Sequence, residues 1–510
     1  MKTIRFLNTL LMQLLLACLV NTNITAQTET KLVASDGAEG DNFGHRCAIS
    51  GDFIIVGAPY NDNEKGSDAG AAYIFKRDGN DWNELQKLVG SSIHDTSLFG
   101  YSVDIDGDYA IVGACWTDQD GEKSGSAYIY KYDAPVWEEQ AILTANDAFK
   151  ADVFGIAASI SGDYAIISAI FDDDCGTTTG SSYIFKRLET TWIEQDKLVP
   201  DDCAAEDRFG TVVEIEGDYA LVTSQYDDNE MGHDAGSVYI YKRDGSNWLE
   251  QDKLIPADSA GNVGYGLGSM YEDHIVIGAF SDDEFLPNAG LAYIYMRYGD
   301  HWIEVDRLCP DELKEGDQFG SYCSIFDDRI VISANNDDDV APDAGACYIF
   351  RWDGLEWGQE MKITASDGDT LDKFGTQMDL DDRYLLAASR YNDELGENAG
   401  AVYVYQLEPS VEQTANYNMS FVSFRSHPNP FSRETTIEYE LRENSHVRLY
   451  AINILGQIVK TFADEYQPAG LHYFQWDGIS DGGSAIPAGQ YFYQIVIDNK
   501  VETIKTICIN

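Results

Sequence analysis

The chain has 510 residues, of which 34 are Lys or Arg and 87 are Asp or Glu, so its formal net charge is −53. A charge of this sign and size repels nucleic acid and anionic membranes, which excludes both as partners. Hydrophobic residues make up 44% of the chain and aromatic residues 12%, so the composition also argues against a disordered chain.

The first residues read as a secretory signal peptide over residues 1–26. Lys2 and Arg5 form a short basic region, and a mostly apolar run follows. This run is too short to span a bilayer, and no later segment is apolar enough to cross one as a helix. We expect cleavage between Ala26 and Gln27. Lipidation at Cys18 is the alternative, because the residues before it resemble a lipoprotein cleavage site.

An aromatic residue followed by Gly recurs seven times, at intervals of 54 to 56 residues. Self-similarity at such a period indicates a repeat architecture. The seven aromatic residues are Phe43, Phe99, Phe154, Phe209, Tyr265, Phe319 and Phe374.

Each repeat reads as four short strands. In the first repeat we expect strands over Phe43–Ser50, Phe53–Ala58, Ala71–Arg77 and Trp82–Val89. Aromatic and β-branched residues alternate in these segments, and Gly, Asp and Asn occupy the turns between them. Four strands at this period predict an all-β fold of β-propeller blades.

The seventh repeat stops after its third strand, and the missing fourth strand is found at the other end of the propeller region. Residues 28–34 stand before Phe43 as the other fourth strands stand before their own repeat aromatics. We therefore predict a seven-bladed β-propeller over residues 27–407, in which residues 28–34 complete the last blade. Closure of this kind removes an open sheet edge.

The signature Phe43-Gly44 followed by Gly57-Ala58-Pro59 resembles the FG-GAP repeats of integrin α-subunits and related bacterial surface proteins. The resemblance covers about residues 28–407 and implies an adhesive or binding propeller. Integrin-type repeats often hold calcium in a loop between strands one and two. Here that connection is a short turn such as Asp106-Gly107-Asp108, which leaves no room for such a loop.

The loops between strands two and three and those that enter each blade leave the same face of the propeller, and both are acidic. One interpretation is that their Asp side chains cap turns through backbone amides. The other is that they bind a hard cation, with calcium the best candidate. The aspartates at one equivalent position of the two-to-three loops are Asp62, Asp118, Asp173, Asp228, Asp283, Asp338 and Asp393.

An aromatic residue opens the same loop in five blades, which are contiguous around a closed ring. These residues either cover their own loops or form a surface that recognises a protein or glycan partner. We call this set the aromatic arc. It consists of Tyr60, Trp116, Phe171, Tyr226 and Tyr391.

Nine cysteines are present and none forms a CxxC pair, so a zinc ribbon is unsupported. Cys175 and Cys203 lie in neighbouring loops of the acidic face, and we expect them to form a disulfide. Cys323 and Cys347 fall on strands one and three of one blade with strand two between them, which argues against their pairing.

After a polar linker over residues 408–423, a different pattern spans residues 424–510. Short alternating strands between Gly and Pro turns predict a small immunoglobulin-like β-sandwich. The motifs Pro428-Asn429-Pro430-Phe431, Trp476-Asp477-Gly478 and Pro487-Ala488-Gly489 look like the C-terminal sorting domain of the type IX secretion system of Bacteroidetes. This resemblance implies export by that machinery and a secreted or cell-surface location. The alternative is a purely structural appendage.

No catalytic constellation stands out, because nearly every polar feature is repeated around the ring. The eight histidines are scattered, and no HExxH, GxSxG or phosphate-binding loop occurs. We therefore expect a non-catalytic binding protein. A secreted polysaccharide hydrolase that uses loop carboxylates is the alternative.

Overall fold

The computed structural model describes residues 29–256, 263–353 and 356–407 of the propeller region. In the C-terminal region it describes 421–427, 431, 433, 435–441, 444–453, 457–497 and 500–508. The predicted signal peptide with Ala26, Gln27 and Cys18, and most of the predicted linker, lie outside the described residues.

Seven four-stranded antiparallel sheets form the seven blades of a β-propeller. In each blade the chain runs outward from an inner strand to an outer one. Blade 1 contains β2 (Cys47–Ser50), β3 (Phe53–Ala58), β4 (Ala71–Asp78) and β5 (Asp81–Leu88). Blade 2 contains β6 (Phe99–Asp106), β7 (Tyr109–Ala114), β8 (Ser126–Asp133) and β9 (Val136–Leu143). Blade 3 contains β10 (Ala158–Ser161), β11 (Tyr164–Ala169), β12 (Ser181–Leu188) and β13 (Thr191–Leu198).

The next three blades repeat this arrangement. Blade 4 contains β14 (Val213–Glu216), β15 (Tyr219–Ser224), β16 (Ser237–Asp244) and β17 (Asn247–Leu254). Blade 5 contains β18 (Tyr265–Tyr271), β19 (His274–Ala279), β20 (Leu291–Tyr298) and β21 (His301–Leu308). Blade 6 contains β22 (Phe319–Phe326), β23 (Arg329–Ala334), β24 (Ala346–Trp352) and β25 (Trp357–Ile363).

Blade 7 takes its outer strand from the other end of the propeller region. Its members are β26 (Met378–Leu380), β27 (Tyr384–Ser389), β28 (Ala401–Gln406) and β1 (Glu29–Leu32). β1 pairs antiparallel with β28, with Glu29 opposite Tyr405 and Leu32 opposite Val402. The Ser366 amide donates to Glu29 Oε2 at 3.2 Å, just as the Ser35 amide donates to Glu84 Oε2 at 2.8 Å in blade 1. β1 therefore makes the contacts of an ordinary fourth strand.

The Gly residues of the Phe-Gly signature allow neighbouring blades to approach closely. A Cβ on Gly57 of blade 1 would lie 2.0 Å from the carbonyl oxygen of Gly100 in blade 2. Gly113 and Gly155 repeat the same approach between blades 2 and 3. The signature aromatics are buried and contact the first aromatic of the pair on strand three of the same blade; Phe43 and Tyr73, for example, have ring centroids 5.5 Å apart. Close backbone contact and aromatic packing thus specify the blade together.

The inner strand is shorter than the sequence predicts in most blades. We expected it to begin at Phe43 in blade 1, but the ladder begins at Cys47. The Asn42 and Gly44 backbones have φ values of 53° and 92°, and the His45 amide donates to the Asn42 carbonyl, so the chain turns before it enters the sheet. In blades 2, 5 and 6 the strand does begin at the aromatic residue, but its pairing contains a register shift.

The C-terminal region forms a β-sandwich. A three-stranded sheet has the order β29 (Phe421–His427), β30 (Thr435–Leu441) and β33 (Gly470–Trp476). A four-stranded sheet has the order β32 (Ile458–Gln467), β31 (Ser445–Asn453), β34 (Gly489–Ile497) and β35 (Lys500–Cys508). The two sheets share a core that includes Trp476, Tyr439 and Ile495. Because β29 begins at Phe421, the sandwich starts inside the segment that the sequence assigns to the 408–423 linker.

No helix among the described residues is long and apolar enough to cross a membrane.

Ring closure predicts that Leu32 supports the fold as much as its equivalents in continuous blades. Leu32 is 3% exposed and Leu254 of blade 4 is 4% exposed. Each Leu→Ala substitution should lower the free energy of unfolding by about 2–5 kcal/mol, because both remove buried methyl groups and leave a cavity. Chemical denaturation of the two variants measures this. A Leu32→Ala variant as stable as the native protein, beside a destabilised Leu254→Ala variant, would show that β1 does not hold the ring closed.

Candidate functional site

The loop face of the propeller is built from the two-to-three loop of one blade and the loop that enters the next blade. The two are joined by backbone hydrogen bonds, such as the one from the Phe99 amide to the Ala69 carbonyl at 3.0 Å. An equivalent hydrogen bond joins the last blade to the first, since the Phe43 amide donates to the Ala399 carbonyl of blade 7 at 2.9 Å. Among the described residues this pairing of loops occurs at six of the seven junctions between blades, and the remaining junction, at the entry to blade 5, includes residues that the structure does not describe.

The seven loop aspartates at the predicted calcium positions all cap their own loops. Each accepts a hydrogen bond from a backbone amide five or six residues further on, for example Asp62 Oδ1 from Asp68 at 2.8 Å and Asp393 Oδ1 from Asn398 at 2.7 Å. The donor residues have left-handed backbones, with φ of 48° at Asp68 and 56° at Asn398. The other five make the same contact: Asp118, Asp173, Asp228, Asp283 and Asp338.

These contacts show a structural role for every member of the set, and calcium binding there stays a prediction. Within the described residues, the potential ligand groups include only one of the seven, Asp228, beside His233 and Asp234 of the same loop. A second potential group, Asp147, Asp172 and Asp174, contains none of the predicted positions.

That second group already surrounds a cation from the chain itself. Lys197 Nζ lies 2.7 Å from Asp147, 3.0 Å from Asp172 and 2.6 Å from Asp174. The Tyr183 hydroxyl donates to Asp147 and Asp172 at 2.9 and 2.8 Å. Although burial acts to raise it, the hydrogen bonds from Lys197 and Tyr183 lower the pKa of Asp147 below its usual value. Three loop carboxylates of blade 3 thus share one ammonium group, which compensates part of their charge.

The same Lys–Tyr–Asp network recurs around the ring. Lys87 binds Asp36 and Asn61 at 2.6 and 2.8 Å, and the Tyr73 hydroxyl also donates to Asp36. Blade 5 uses an arginine. The central cations are Lys31, Lys87, Lys197, Lys253, Arg307 and Lys362, and each contacts loop carboxylates of its own blade.

Blade 2 lacks the cation and the two carboxylates of this network but keeps its tyrosine, Tyr128. Ser92, Thr117 and Ile142 stand where blade 3 has Asp147, Asp172 and Lys197. The Thr117 hydroxyl instead bonds Ser126 Oγ at 2.7 Å. The cation and its acidic partners are thus absent together, as expected if each depends on the others for charge compensation.

A third set of aspartates lies two residues before the repeat aromatic and caps the entry loop. Asp152, for instance, accepts from the Phe149 amide at 2.6 Å. Burial raises the pKa of Asp152 and of Asp207 to about 6. The equivalent residues Asp41, Asp317 and Asp372 make the same contact.

The aromatic arc contributes part of the apolar surface of the loop face. Tyr60 and Tyr226 are 37% and 38% exposed, whereas Trp116, Phe171 and Tyr391 are partly buried. Trp116 and Phe171 pack against a small cluster that includes Cys115 and Ile170. The rings of the arc therefore support their loops and also present surface to solvent, and recognition of a partner by the arc stays a prediction.

Basic side chains accompany the arc. Lys123 Nζ lies 3.8 Å from the Trp116 ring centroid. Arg208 lies over Tyr226 and Phe171 at 4.7 and 5.8 Å, and Arg390 lies over Tyr391 at 4.8 Å. Such contacts hold aromatic and cationic groups in fixed relative positions. The arc is thus a mixed aromatic and basic surface within an acidic rim.

A disulfide joins Cys175 of the blade 3 loop to Cys203 of the loop that enters blade 4, with a Cα–Cα distance of 6.1 Å. It ties the two loops together beside Phe171 of the arc. Cys323 and Cys347 are buried free thiols.

We did not predict from the sequence the roles of the six central cations of the network, nor of the three basic residues that lie over the aromatic arc. The signal for the first was present, since a Lys or Arg precedes the last leucine or isoleucine of the fourth strand in six of the seven repeats. No comparable signal existed for Lys123, Arg208 and Arg390, which occupy different loop positions.

The network in blade 3 predicts a non-additive response to mutation. Lys197→Met should lower the free energy of unfolding by roughly 2–4 kcal/mol at pH 7, because it leaves partly buried carboxylates without their cation. The combined Asp147→Ser, Asp172→Thr, Lys197→Ile variant, which copies blade 2, should recover most of that loss. Denaturant unfolding measures both, and Lys150→Met is the control, since the Lys150–Glu122 pair is exposed to solvent and should contribute little to stability.

The direction in which pH changes the stabilisation by Lys197 follows from the pKa of Asp147. Because the folded-state pKa of Asp147 is lowered, its pairing stabilises the protein above the unfolded pKa of about 4 and is lost as the pH falls through the folded value. The difference between Lys197→Met and the native protein should therefore shrink toward pH 3. A triple variant no more stable than Lys197→Met would contradict the charge-compensation account.

Three solved structures that resemble the chain do so at low sequence identity. PorZ, a surface component of the type IX secretion system of Porphyromonas gingivalis, aligns with a TM-score of 0.42 and 12% identity over 94% of this chain, which spans 61% of the PorZ chain. Sqt1 of Saccharomyces cerevisiae aligns with a TM-score of 0.40 and 10% identity over 80% of this chain and 94% of its own. A copper-containing fungal alcohol oxidase of the AA5 family aligns with a TM-score of 0.42 and 11% identity over 94% and 98%.

No curated protein matches the chain. Two domain families do match it. The FlgD Ig-like domain matches residues 431–500. The FG-GAP repeat matches seven segments: 27–75, 82–130, 137–185, 192–241, 248–295, 302–350 and 357–405. Each segment runs from a fourth strand through the first three strands of the next blade. Together these matches cover more than half of the chain, which therefore belongs to the FG-GAP repeat family.

Proposed function

We propose that this chain is an exported, non-catalytic binding protein that recognises a protein or glycan partner through the aromatic arc of its loop face. The observation that carries the proposal is the arc itself. Five contiguous blades place an aromatic residue at one position of the rim, and two of these, Tyr60 and Tyr226, are more than a third exposed. Exposed aromatics beside polar and basic groups are typical of recognition surfaces.

The hydrolase alternative has less support. It requires a carboxylate that is free to donate a proton or attack a substrate. In the described residues, the buried loop acids contact a Lys or Arg, and the capping acids accept backbone amides. Such carboxylates are held as structural acceptors. The rim therefore suits binding better than catalysis.

The C-terminal sandwich suits a delivery role in this proposal. Its sequence motifs look like those of the type IX sorting domain, and it has a hydrophobic core of its own. A domain with its own core can be recognised by export machinery independently of the module it carries. In this proposal, the sandwich directs the propeller to the cell surface or the medium.

Binding by the arc is tested with the purified chain on arrays of glycans and candidate surface proteins, followed by affinity measurement for each hit. Tyr60→Ala and Tyr226→Ala should each weaken binding at least about tenfold, because central aromatic contacts dominate recognition. Tyr473→Ala is the control, since Tyr473 is 56% exposed on the C-terminal sandwich. Unchanged affinity in both arc variants would locate recognition elsewhere, and turnover of chromogenic glycosides would contradict a non-catalytic role.

Export is tested in a Bacteroidetes host that has a functional type IX system. The complete chain should reach the cell surface or medium, whereas a chain that ends at residue 420 should remain in the periplasm. Cell fractionation with antibody detection measures both, and a host strain without the secretion system is the control. Equal surface delivery of the shortened chain would assign the sandwich a structural role instead.

A further inference from the structure

Three basic side chains lie over rings of the aromatic arc: Lys123, Arg208 and Arg390. All three are partly exposed, and none has an ion-pair partner among the described residues. By contrast, Lys150 contacts Glu122 in the loops at the entry to blade 3, and Lys314 contacts Asp339 at the entry to blade 6. The positive charge of the arc is therefore available to an external anion.

Arg208 can be compared with Lys373, which occupies the same position in the loop that enters blade 7. The Arg208 amide donates to the Thr178 carbonyl at 3.2 Å. The Lys373 amide donates to the Asp343 carbonyl at the same distance, and Lys373 Nζ lies 3.6 Å from Asp343 Oδ1. Since blade 3 has Thr178 in place of that acid, Arg208 has no carboxylate there and lies over arc rings instead.

Lys123 reverses the charge of its loop position. Its backbone amide donates to Asp118 Oδ1 at 2.8 Å, as the equivalent amides do in the other blades. The equivalent residues in blades 1, 4 and 6 are acidic: Asp68, Asp234 and Asp343. In blade 2 the position carries an ammonium group 3.8 Å from the Trp116 ring centroid. Blade 2 therefore presents positive charge beside the arc where those three blades present negative charge.

Contacts between neighbouring blades join these groups across blades 2, 3 and 4. Trp116 and Phe171 pack against the same small apolar cluster. The Arg208 guanidinium then lies 5.8 Å from the Phe171 ring centroid and 4.7 Å from that of Tyr226. One guanidinium thus serves the rings of two blades, and the three rings belong to one surface.

Arg390 brings positive charge to the end of the arc in blades 7 and 1. Its guanidinium lies 4.8 Å from the Tyr391 ring centroid. Burial raises the pKa of the Tyr60 hydroxyl, and the charge of Arg390 acts in the opposite direction, which places the guanidinium near Tyr60. The other six repeats have Pro, Cys, Ile, Gln, Phe or Asn at this position, so the charge is specific to blade 7.

We propose that the arc binds an acidic glycan, in which a sugar ring packs on an arc aromatic while its carboxylate pairs with Lys123, Arg208 or Arg390; this inference rests on the proposed recognition function of the arc. A uronic acid carries its carboxylate on the sugar ring, so one sugar residue can contact both kinds of group. An arginine also binds a carboxylate through two parallel hydrogen bonds. An acidic protein fits less well, because its wider surface would bring further negative charge against the acidic loop face.

The first test uses the purified chain and a panel of oligosaccharides that contain glucuronic, galacturonic or sialic acid. Each is measured beside its carboxyl-reduced counterpart, which keeps the sugar rings and loses the charge. At least one acidic member should bind about tenfold more tightly than its reduced form, because the reduced form lacks the charge-assisted hydrogen bonds. Sulfated oligosaccharides form a second arm, and tighter binding there than to every carboxylated member would overturn the assignment to carboxylates.

The second test changes the charge beside Arg208 without removing any cation of the arc. Thr178→Asp introduces the acid that blade 6 has at this position, so it should pair with Arg208 and weaken acidic-glycan binding about tenfold. Thr178→Asn is the matched control and should keep the native affinity, since blades 5 and 7 have Asn288 and Asn398 there. Arg208→Gln should weaken binding as Thr178→Asp does, whereas Arg208→Lys should keep most of the affinity.

Four outcomes would contradict the inference or separate it from the proposed function. Absence of binding to every acidic member, or equal affinity for acidic and reduced forms, would overturn it. Unchanged affinity in both Thr178→Asp and Arg208→Gln would also overturn it. Binding only to a neutral glycan or a protein, weakened by Tyr60→Ala and Tyr226→Ala, would remove this inference and leave the proposed function standing. Acidic-glycan binding that neither tyrosine variant weakens would contradict the proposed function as well.

Discussion

Closure of the ring is the constraint on which the rest of this structure depends. Seven sheets around one axis leave a first and a last blade that must meet, and β1 completes the last blade from the opposite end of the propeller region. The pairing removes an exposed sheet edge and makes the seventh interface equivalent to the others. It also joins the loops of blades 7 and 1, because the Phe43 amide donates a hydrogen bond to the Ala399 carbonyl.

Close approach of neighbouring blades explains the residue types of the signature. Gly57 lies so close to Gly100 of the next blade that a side chain there would overlap the neighbouring carbonyl. Further out, the signature aromatics fill the widening space of each blade together with paired aromatics of strand three. On the inner strands, Asp104, Glu214 and Asp379 accept hydrogen bonds from backbone amides of the next blade, and these bonds connect the sheets there.

The acidic side chains of the propeller have different partners in its different parts. On the rim, buried carboxylates share a lysine or arginine and a tyrosine hydroxyl, so much of the loop acidity serves to organise the loops. The exposed aspartates cap left-handed residues. On the inner strands the carboxylates accept hydrogen bonds from backbone amides. The arc is a third environment, where basic groups lie over aromatic rings. A partner that approaches the face therefore meets a basic and aromatic segment inside an acidic border.

The sequence by itself determined the number of blades, the four strands of each blade and the origin of the closing strand. These features follow from local alternation and turn chemistry that are repeated seven times, so chance departures in one repeat, such as Tyr265, do not obscure the pattern. The same repetition located the aromatic arc and the loop aspartates. Only the tertiary structure decided what these groups contact. Lys197 meets Asp147 and Asp172 because strand four returns beside both loops, although they are 50 and 25 residues away in sequence. The acids of the inner strands come from three different blades at a position where the other four repeats have Ala or Ser, so no periodic signal marks them. Charge compensation depends on distance in space, and that distance is set by sheet twist and ring closure.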